Sequence, residues 1–203
     1  MMTKPKTASK SPLPQLPNSP DRVSHAGNVY LRALCESDLE RIHRWHNDPK
    51  LYENFPTPFR YVSLATEREW LQKKMAASTD SVNLAICLSP GDEHIGNIYL
   101  TEIDWISRNA SIGMFLANTA NRRKGYGADA LSQLLSYAFN ELNLMRVYLH
   151  TFAKNISAIK IAEKAGFTLE GQMRNHVFKN GRYEDVLVMA LSAEEFRGHD
   201  AIG

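Results

Sequence analysis

The stretch Ala110–Ser132, ASIGMFLANTANRRKGYGADALS, decides how this chain is read. An apolar extended run passes into Arg122, Arg123, Lys124, Gly125, Tyr126 and Gly127 just where a helical pattern begins. Glycines let a backbone turn tightly and approach a ligand, and the free N–H groups and positive dipole end of the following helix favour an anion. The flanking cations add attraction for phosphate. A pyrophosphate suits such a loop, and so does a plain basic turn ahead of a surface helix.

A chain of 203 residues is long enough for one packed core and is most simply a single domain with additions. Lys plus Arg number 24 against 22 Asp plus Glu. Lys4, Lys6, Lys10 and Arg22, against Asp21, give the first 22 residues a net charge of +3, which leaves the remainder at −1. A domain that holds a nucleic-acid backbone carries a larger basic excess, so no nucleic-acid partner is expected. Cys35 and Cys87 make no disulfide scaffold and suit a reducing compartment. No secretory h-region follows the N-terminal lysines, and no apolar run approaches membrane-spanning length. The expectation is a cytoplasmic protein without membrane attachment.

Residues 1–22, rich in Pro, Ser, Thr and Lys, have no periodic apolar face and are expected to be a disordered tail. Residues 23–197 form the expected domain, with 198–203 as a flexible C-terminus. Order is read from an extended segment near Asn28–Leu34, then a helix over about Ser37–His46 that Pro49 ends. Residues 49–65 read as an irregular loop with aromatic anchors, either lining a pocket or covering the core. Thr66 and Glu69 form a candidate capping box for a helix carrying Trp70, Leu71 and Met75. Extended segments at Val82–Leu88, His94–Glu102 and Ala110–Ala117, joined by short turns, predict three antiparallel strands. A helix over about Tyr126–Glu141, a strand at Met145–Thr151 and a helix at Ser157–Ala165 stopped by Gly166 follow. Phe167–Met173 and Tyr183–Leu191 close the chain as strands joined through Asn180 and Gly181. The fold class is α+β, with a mixed, mainly antiparallel central sheet flanked by helices.

Gly125, Gly127 and Ala130 match a bare dinucleotide-binding spacing, but the strand after the helix lacks the acidic residue that would hold a ribose. A nucleotide-hydrolase loop is a weaker match still, because Lys124 precedes the glycines and no G-K-[ST] follows.

Arg122, Gly125 and Gly127 match in order the R/Q-x-x-G-x-G/A segment of the GNAT superfamily of N-acetyltransferases, which the chain resembles. Asn155, Ala158, Ile159, Glu163, Lys164, Gly166 and Phe167 are similar to that family's N-x-x-A-I and E-K-x-G-F patterns. With Gly171, Arg174 and the segment Gly181–Met189, the likeness covers roughly residues 28–191, and its pattern is nearest to the ribosomal-protein N-terminal acetyltransferase branch. The resemblance implies the GNAT acyltransferase fold, with a V-shaped opening beside the loop. It implies acetyl-CoA as acetyl donor and direct attack of a primary amine in a ternary complex. Coenzyme-binding residues by the same resemblance are Phe115, Leu116, Arg122, Arg123, Lys124, Gly125, Tyr126, Gly127, Ala128 and Asn155.

Such chemistry needs an amine to lose a proton, attack a thioester and pass through an oxyanion before a thiolate leaves. Backbone donors can hold the oxyanion, so neither a serine nucleophile nor a metal is required, and none of the seven histidines joins a compact ligand set. Glu102, at the end of the third strand, resembles the acidic position of polyamine and N-terminal acetyltransferases and is the candidate general base. Where many relatives carry a tyrosine acid this chain has Ala162, and where the ribosomal-protein branch often has serine it has Ala158, with Ser157 as the neighbouring substitute. Ser111 occupies the place of a frequent strand glutamate. The expected acceptor is a protein N-terminal amine, with a polyamine or amino sugar as the alternative. A silent acyl-CoA-binding protein is the alternative of a different class. A monomer or homodimer is expected.

Overall fold

Short turns between apolar, alternating segments build the first half of a single sheet. The structure, a computed structural model, describes residues 22–76 and 78–200. Strands β1 (Arg22–Ala26), β2 (Val29–Ala33), β3 (Val82–Leu88), β4 (His94–Asp104) and β5 (Asn109–Leu116) pair antiparallel in that order. Strand β6 (Arg146–Phe152) joins β5 in parallel. Strands β7 (Thr168–Lys179) and β8 (Arg182–Ser192) form the closing hairpin, inserted so that β8 lies against β6 and β7 takes the edge. The mixed, mainly antiparallel α+β architecture matches the sequence expectation.

Strand β1 precedes the point where order was read to begin. It is held by pairing with β2 across a two-residue turn, which a periodicity reading does not register. The tail expected over residues 1–22 lies outside the described residues up to 21, and Arg22 opens β1.

Helices α1 (Leu39–His46), α2 (Pro49–Tyr52) and α3 (Leu64–Met75) fill the long connection between β2 and β3. Pro49 does not merely end α1. It opens α2 at a position where its missing N–H costs nothing, with the Asp48 carboxylate accepting from Lys50 N at 2.9 Å. Helix α3 starts one turn earlier than the Thr66–Glu69 pair suggested, because Ser63 Oγ accepts from Thr66 N at 3.1 Å. Helix α4 (Tyr126–Ser136) continues through a wider π turn at Tyr137–Glu141. Helix α5 (Ile156–Lys164) crosses between β6 and β7, and α6 (Ala193–Asp200) follows β8. The boundary expected at residue 198 thus falls inside α6, while 201–203 lie outside the described residues.

Period-two alternation gives the sheet two faces. Val29, Leu31, Leu84, Ile86, Ile98 and Leu100 pack under Ala130, Leu131, Leu134 and Leu135 of α4. Tyr30, Ala85 and Cys87 point the other way, beneath Leu39, Ile42 and Leu71 of α1 and α3, with Trp45 and Trp70 packed against them.

Candidate active site

The sheet splits at its centre. Pairing between β5 and β6 stops at Ser111 opposite Tyr148. Beyond that point β5 stays with β4 as far as Leu116, while β6 follows β8 to Phe152, so the parallel strands part into a V. Ala117 N donates to Ile95 O at 2.9 Å. By the alternation of an antiparallel ladder, Phe115 and Gly113 then spend their backbone groups on β4, and Met114 and Leu116 turn theirs into the opening. A cavity of about 650 Å³ lies along this opening, within the size range of ligand pockets. Phe115 and Leu116 line it.

One end of the cavity is the glycine loop. Arg123 and Gly125 both take left-handed backbone, at φ 60° and 86°, and a glycine at 125 meets that geometry without steric cost. The first helical bond of α4 is Asp129 N to Gly125 O, at 3.0 Å. The N–H groups of Tyr126, Gly127 and Ala128 therefore precede the intrahelical ladder and are available to an anion. A Cβ on Gly127 would stand 3.4 Å from Met114 Cε and 3.6 Å from Ile161 Cδ1. Since Met114 and Ile161 also line the cavity, the absent side chain keeps the channel clear where strand, loop and helix converge. Arg122 and Arg123 are exposed on the same wall. Lys124 is not on that wall, and its ammonium lies 5.9 Å from the Tyr126 ring centre. Loop and cations fit a pyrophosphate.

Helix α5 forms the opposite wall, with Asn155, Ser157 and Lys160 on the cavity. Asn155 also serves its own helix, since its Oδ1 accepts from Ala158 N at 3.3 Å. The third wall comes from the segment read as an irregular loop, through Leu51, Asn54 and Phe55. Lys179, at the end of β7, secures that segment by donating to the carbonyls of Tyr52, Phe55 and Thr57. Burial pulls this ammonium below its ordinary pKa, and the neighbouring Lys154 charge adds to the effect. Neither Lys179 nor Lys160 stood out in the sequence: one is a strand-end lysine and the other an exposed helical lysine.

Glu102 is not on the cavity wall. It sits on β4 with φ 56°, at an irregularity between Thr101 and Asp104, and its exposed carboxylate accepts from Tyr148 Oη at 2.9 Å. It thus marks the closed end of the V, beside the last paired residue of β6. Burial, followed by the Glu102 hydrogen bond and charge, raises the Tyr148 pKa. The other acidic residues do not gather around it. Asp104 caps the turn through Ile106 N and Ser107 N, and buried Glu67 binds His46 Nδ1 with both oxygens at 3.0 Å. Burial raises the pKa of both Tyr52 and Tyr99; the Glu67 charge adds to it at Tyr52, while at Tyr99 a hydrogen bond with Asn97 works against it. Among the described residues no group of three or more His, Cys, Asp or Glu could hold a metal ion. No helix among them is long and apolar enough to cross a membrane.

A split mixed sheet, a helix N-terminus whose free N–H groups lie at one end of the cavity and an opening lined by free strand backbone together fit an acyl-CoA-dependent transferase. The chain belongs to the GNAT acetyltransferases: the family's domain model matches residues 28–168. Spermidine N(1)-acetyltransferase of Vibrio cholerae is 30% identical over 82% of this chain and 94% of its own length. The crystal structure of spermidine N-acetyltransferase from that organism, in complex with CoA and spermine, superposes with a TM-score of 0.77 at 28% identity, covering 84% of this chain and 98% of the other. The Bacillus subtilis protein YdaF, whose name provisionally assigns it to ribosomal N-acetylation, is 33% identical but over only 51% of this chain and 56% of its own. The superfamily expected from sequence therefore holds, while the ribosomal-protein branch is not singled out. The protein is an acetyl-CoA-dependent N-acetyltransferase acting on an amine, and the silent-binder alternative is set aside.

Proposed function

We propose that the acceptor is a small-molecule amine of the polyamine type, in place of the protein N-terminus expected from sequence. Glu102 carries this reading. An exposed carboxylate, fixed by Tyr148 at the closed end of the β5–β6 split, supplies the charge that attracts a protonated amine to the point where the strands part. The names of the matching spermidine acetyltransferases support the same acceptor class.

In this proposal acetyl-CoA lies along the opening, with its pyrophosphate on the N–H groups of Tyr126, Gly127 and Ala128 and beside Arg122 and Arg123. Asn155, Phe115 and Leu116 flank the pantetheine arm. Glu102 takes the proton from the bound ammonium, directly or through water, and the free amine attacks the thioester carbonyl. The backbone N–H groups of Met114 and Leu116, facing the split, offer donors to the coenzyme and the developing oxyanion. The C–S bond then breaks as nitrogen loses its second proton, which ends on the departing sulfur, and Ser157, on the cavity wall, donates a hydrogen bond to that sulfur.

Steady-state measurement of CoA release with spermidine, an amino sugar and peptides beginning with Ala or Ser tests the choice. The proposal expects the highest kcat/KM for spermidine by at least about tenfold, the order of one well-placed charged contact. A peptide or amino sugar exceeding spermidine would overturn it.

A further inference from the structure

The coenzyme cavity does not end at the split. A second cavity of about 110 Å³ continues it inward, bounded by Ile112 and Met114 on β5 and by Leu149 on β6. The two share Asn54, Phe55, Met114, Asn155, Ala158 and Ile161, so they meet at the point where a thioester carbonyl must lie for attack within the V. Leu131 from α4 and Ile161 and Ala162 from α5 give it an apolar side, while Asn54, His150, Thr151 and Asn155 line the remainder. Ala162 is 1% exposed, and its single methyl leaves the floor of the space open.

We propose that this inner cavity is an acyl chamber, and that the enzyme accepts donor thioesters with acyl chains longer than acetyl, up to about four carbons. The inference rests on the acyl-CoA reading of the site. A water molecule occupies roughly 30 Å³ of liquid, so 110 Å³ holds about three or four groups of that size, and the methyl of an acetyl group fills only one. A polyamine is a poor occupant, because no carboxylate stands among the lining residues to pair with an ammonium held against Ile112, Leu131, Leu149 and Ala162. A hydrocarbon chain loses nothing there and gains contacts. The chemistry is unchanged by chain length. The ammonium proton passes to the base, the amine nitrogen forms a bond to the acyl carbon, the carbon–sulfur bond breaks, and the second proton released from nitrogen neutralises the departing thiolate, so CoA leaves as thiol.

Calorimetry with acetyl-, propionyl- and butyryl-CoA tests the chamber without needing an acceptor. Each added methylene is expected to tighten binding by up to about fourfold, from the transfer of apolar surface out of water. Butyryl-CoA binding more weakly than acetyl-CoA overturns the proposal. Ala162→Leu narrows the chamber from α5 and Leu149→Phe from β6. In either variant the ratio of butyryl- to acetyl-CoA affinity is expected to fall about tenfold or more, on the order of the lost burial. An unchanged ratio in the folded variants overturns the assignment, and if neither folds the wild-type series decides alone. Turnover with spermidine separates this inference from the acceptor proposal. Acetyl transfer with weakened butyryl-CoA binding leaves the acceptor proposal standing and removes the chamber. The expected binding order without transfer to spermidine does the reverse.

Discussion

The Tyr148 hydroxyl donates to the Glu102 carboxylate at 2.9 Å, joining β4 to β6 across the intervening β5 where the sheet begins to split. Glu102→Gln keeps the side chain's size and an acceptor for Tyr148 but removes its basicity. The chemical rate at neutral pH is expected to fall by about 10²-fold or more, the usual range for a lost general base. Raising the pH, which supplies neutral amine directly, recovers part of the loss, and acetyl-CoA affinity changes little. Single-turnover rates across pH check this. A loss confined to acceptor affinity assigns Glu102 to substrate attraction instead.

Gly127 keeps the coenzyme channel open through its lack of a side chain. An alanine meets neighbours at 3.4 Å and beyond, so Gly127→Ala is expected to bind acetyl-CoA with a modest loss, whereas Gly127→Leu fills the space among Met114, Leu116 and Ile161. For the leucine variant calorimetry is expected to show affinity lowered by about tenfold or more, as a bulky side chain obstructs the helix N-terminal anion site. Equal affinity in a folded variant contradicts the placement of the coenzyme.

Lys179 holds the segment that carries Asn54 and Phe55 to the cavity through three carbonyl acceptors. Lys179→Met retains much of the stem but removes the donor from those carbonyls, of which Tyr52 O keeps its bond from Phe55 N. A stability loss of about 1–3 kcal/mol is expected from the acceptors left unmet, and the acetyl-CoA KM rises as the wall loosens. Denaturant midpoints and steady-state kinetics measure the two effects. Unchanged KM alongside the stability loss would limit Lys179 to a structural part.

Asp38 predicts an acid limit. It is 1% exposed, takes two 2.8 Å bonds from Arg32 and lies 3.0 Å from His94 Nδ1. Burial alone would raise its carboxyl, but the hydrogen bonds from Arg32 and His94 outweigh it and hold the group well below its ordinary 3.8. A depressed folded pKa contributes stability that is present above the unfolded value and lost as pH falls below it. Thermal unfolding is therefore expected to show stability declining below about pH 4. Asp38→Asn should be destabilised by about 3 kcal/mol at neutral pH and show a shallower acid decline. Parallel slopes for the two proteins would refute the linkage.

The glycine loop was legible because its requirements are local: left-handed backbone at Gly125, an open helix start at Tyr126 and cations beside them. The strands from Val82 to Leu116 were legible because short turns leave antiparallel pairing as the simple solution. What escaped depends on distant partners. Strand β1 exists through its register with β2, and Ser63 caps α3 although Thr66 and Glu69 offered a similar pattern. Phe55 reaches the cavity because Lys179 binds its carbonyl from 124 positions away in sequence. Glu102 was correctly located near the end of a strand, but its bond to Tyr148 depends on a β5–β6 register that composition and periodicity do not encode.

The most direct measurement is mass spectrometry of spermidine incubated with acetyl-CoA and the purified protein, with Glu102→Gln run beside it. The expected result is singly acetylated spermidine formed in step with free CoA, and product formation slowed by about 10²-fold or more in the variant at neutral pH. Unmodified spermidine, under conditions where the same protein acetylates a peptide N-terminus, would contradict the polyamine assignment.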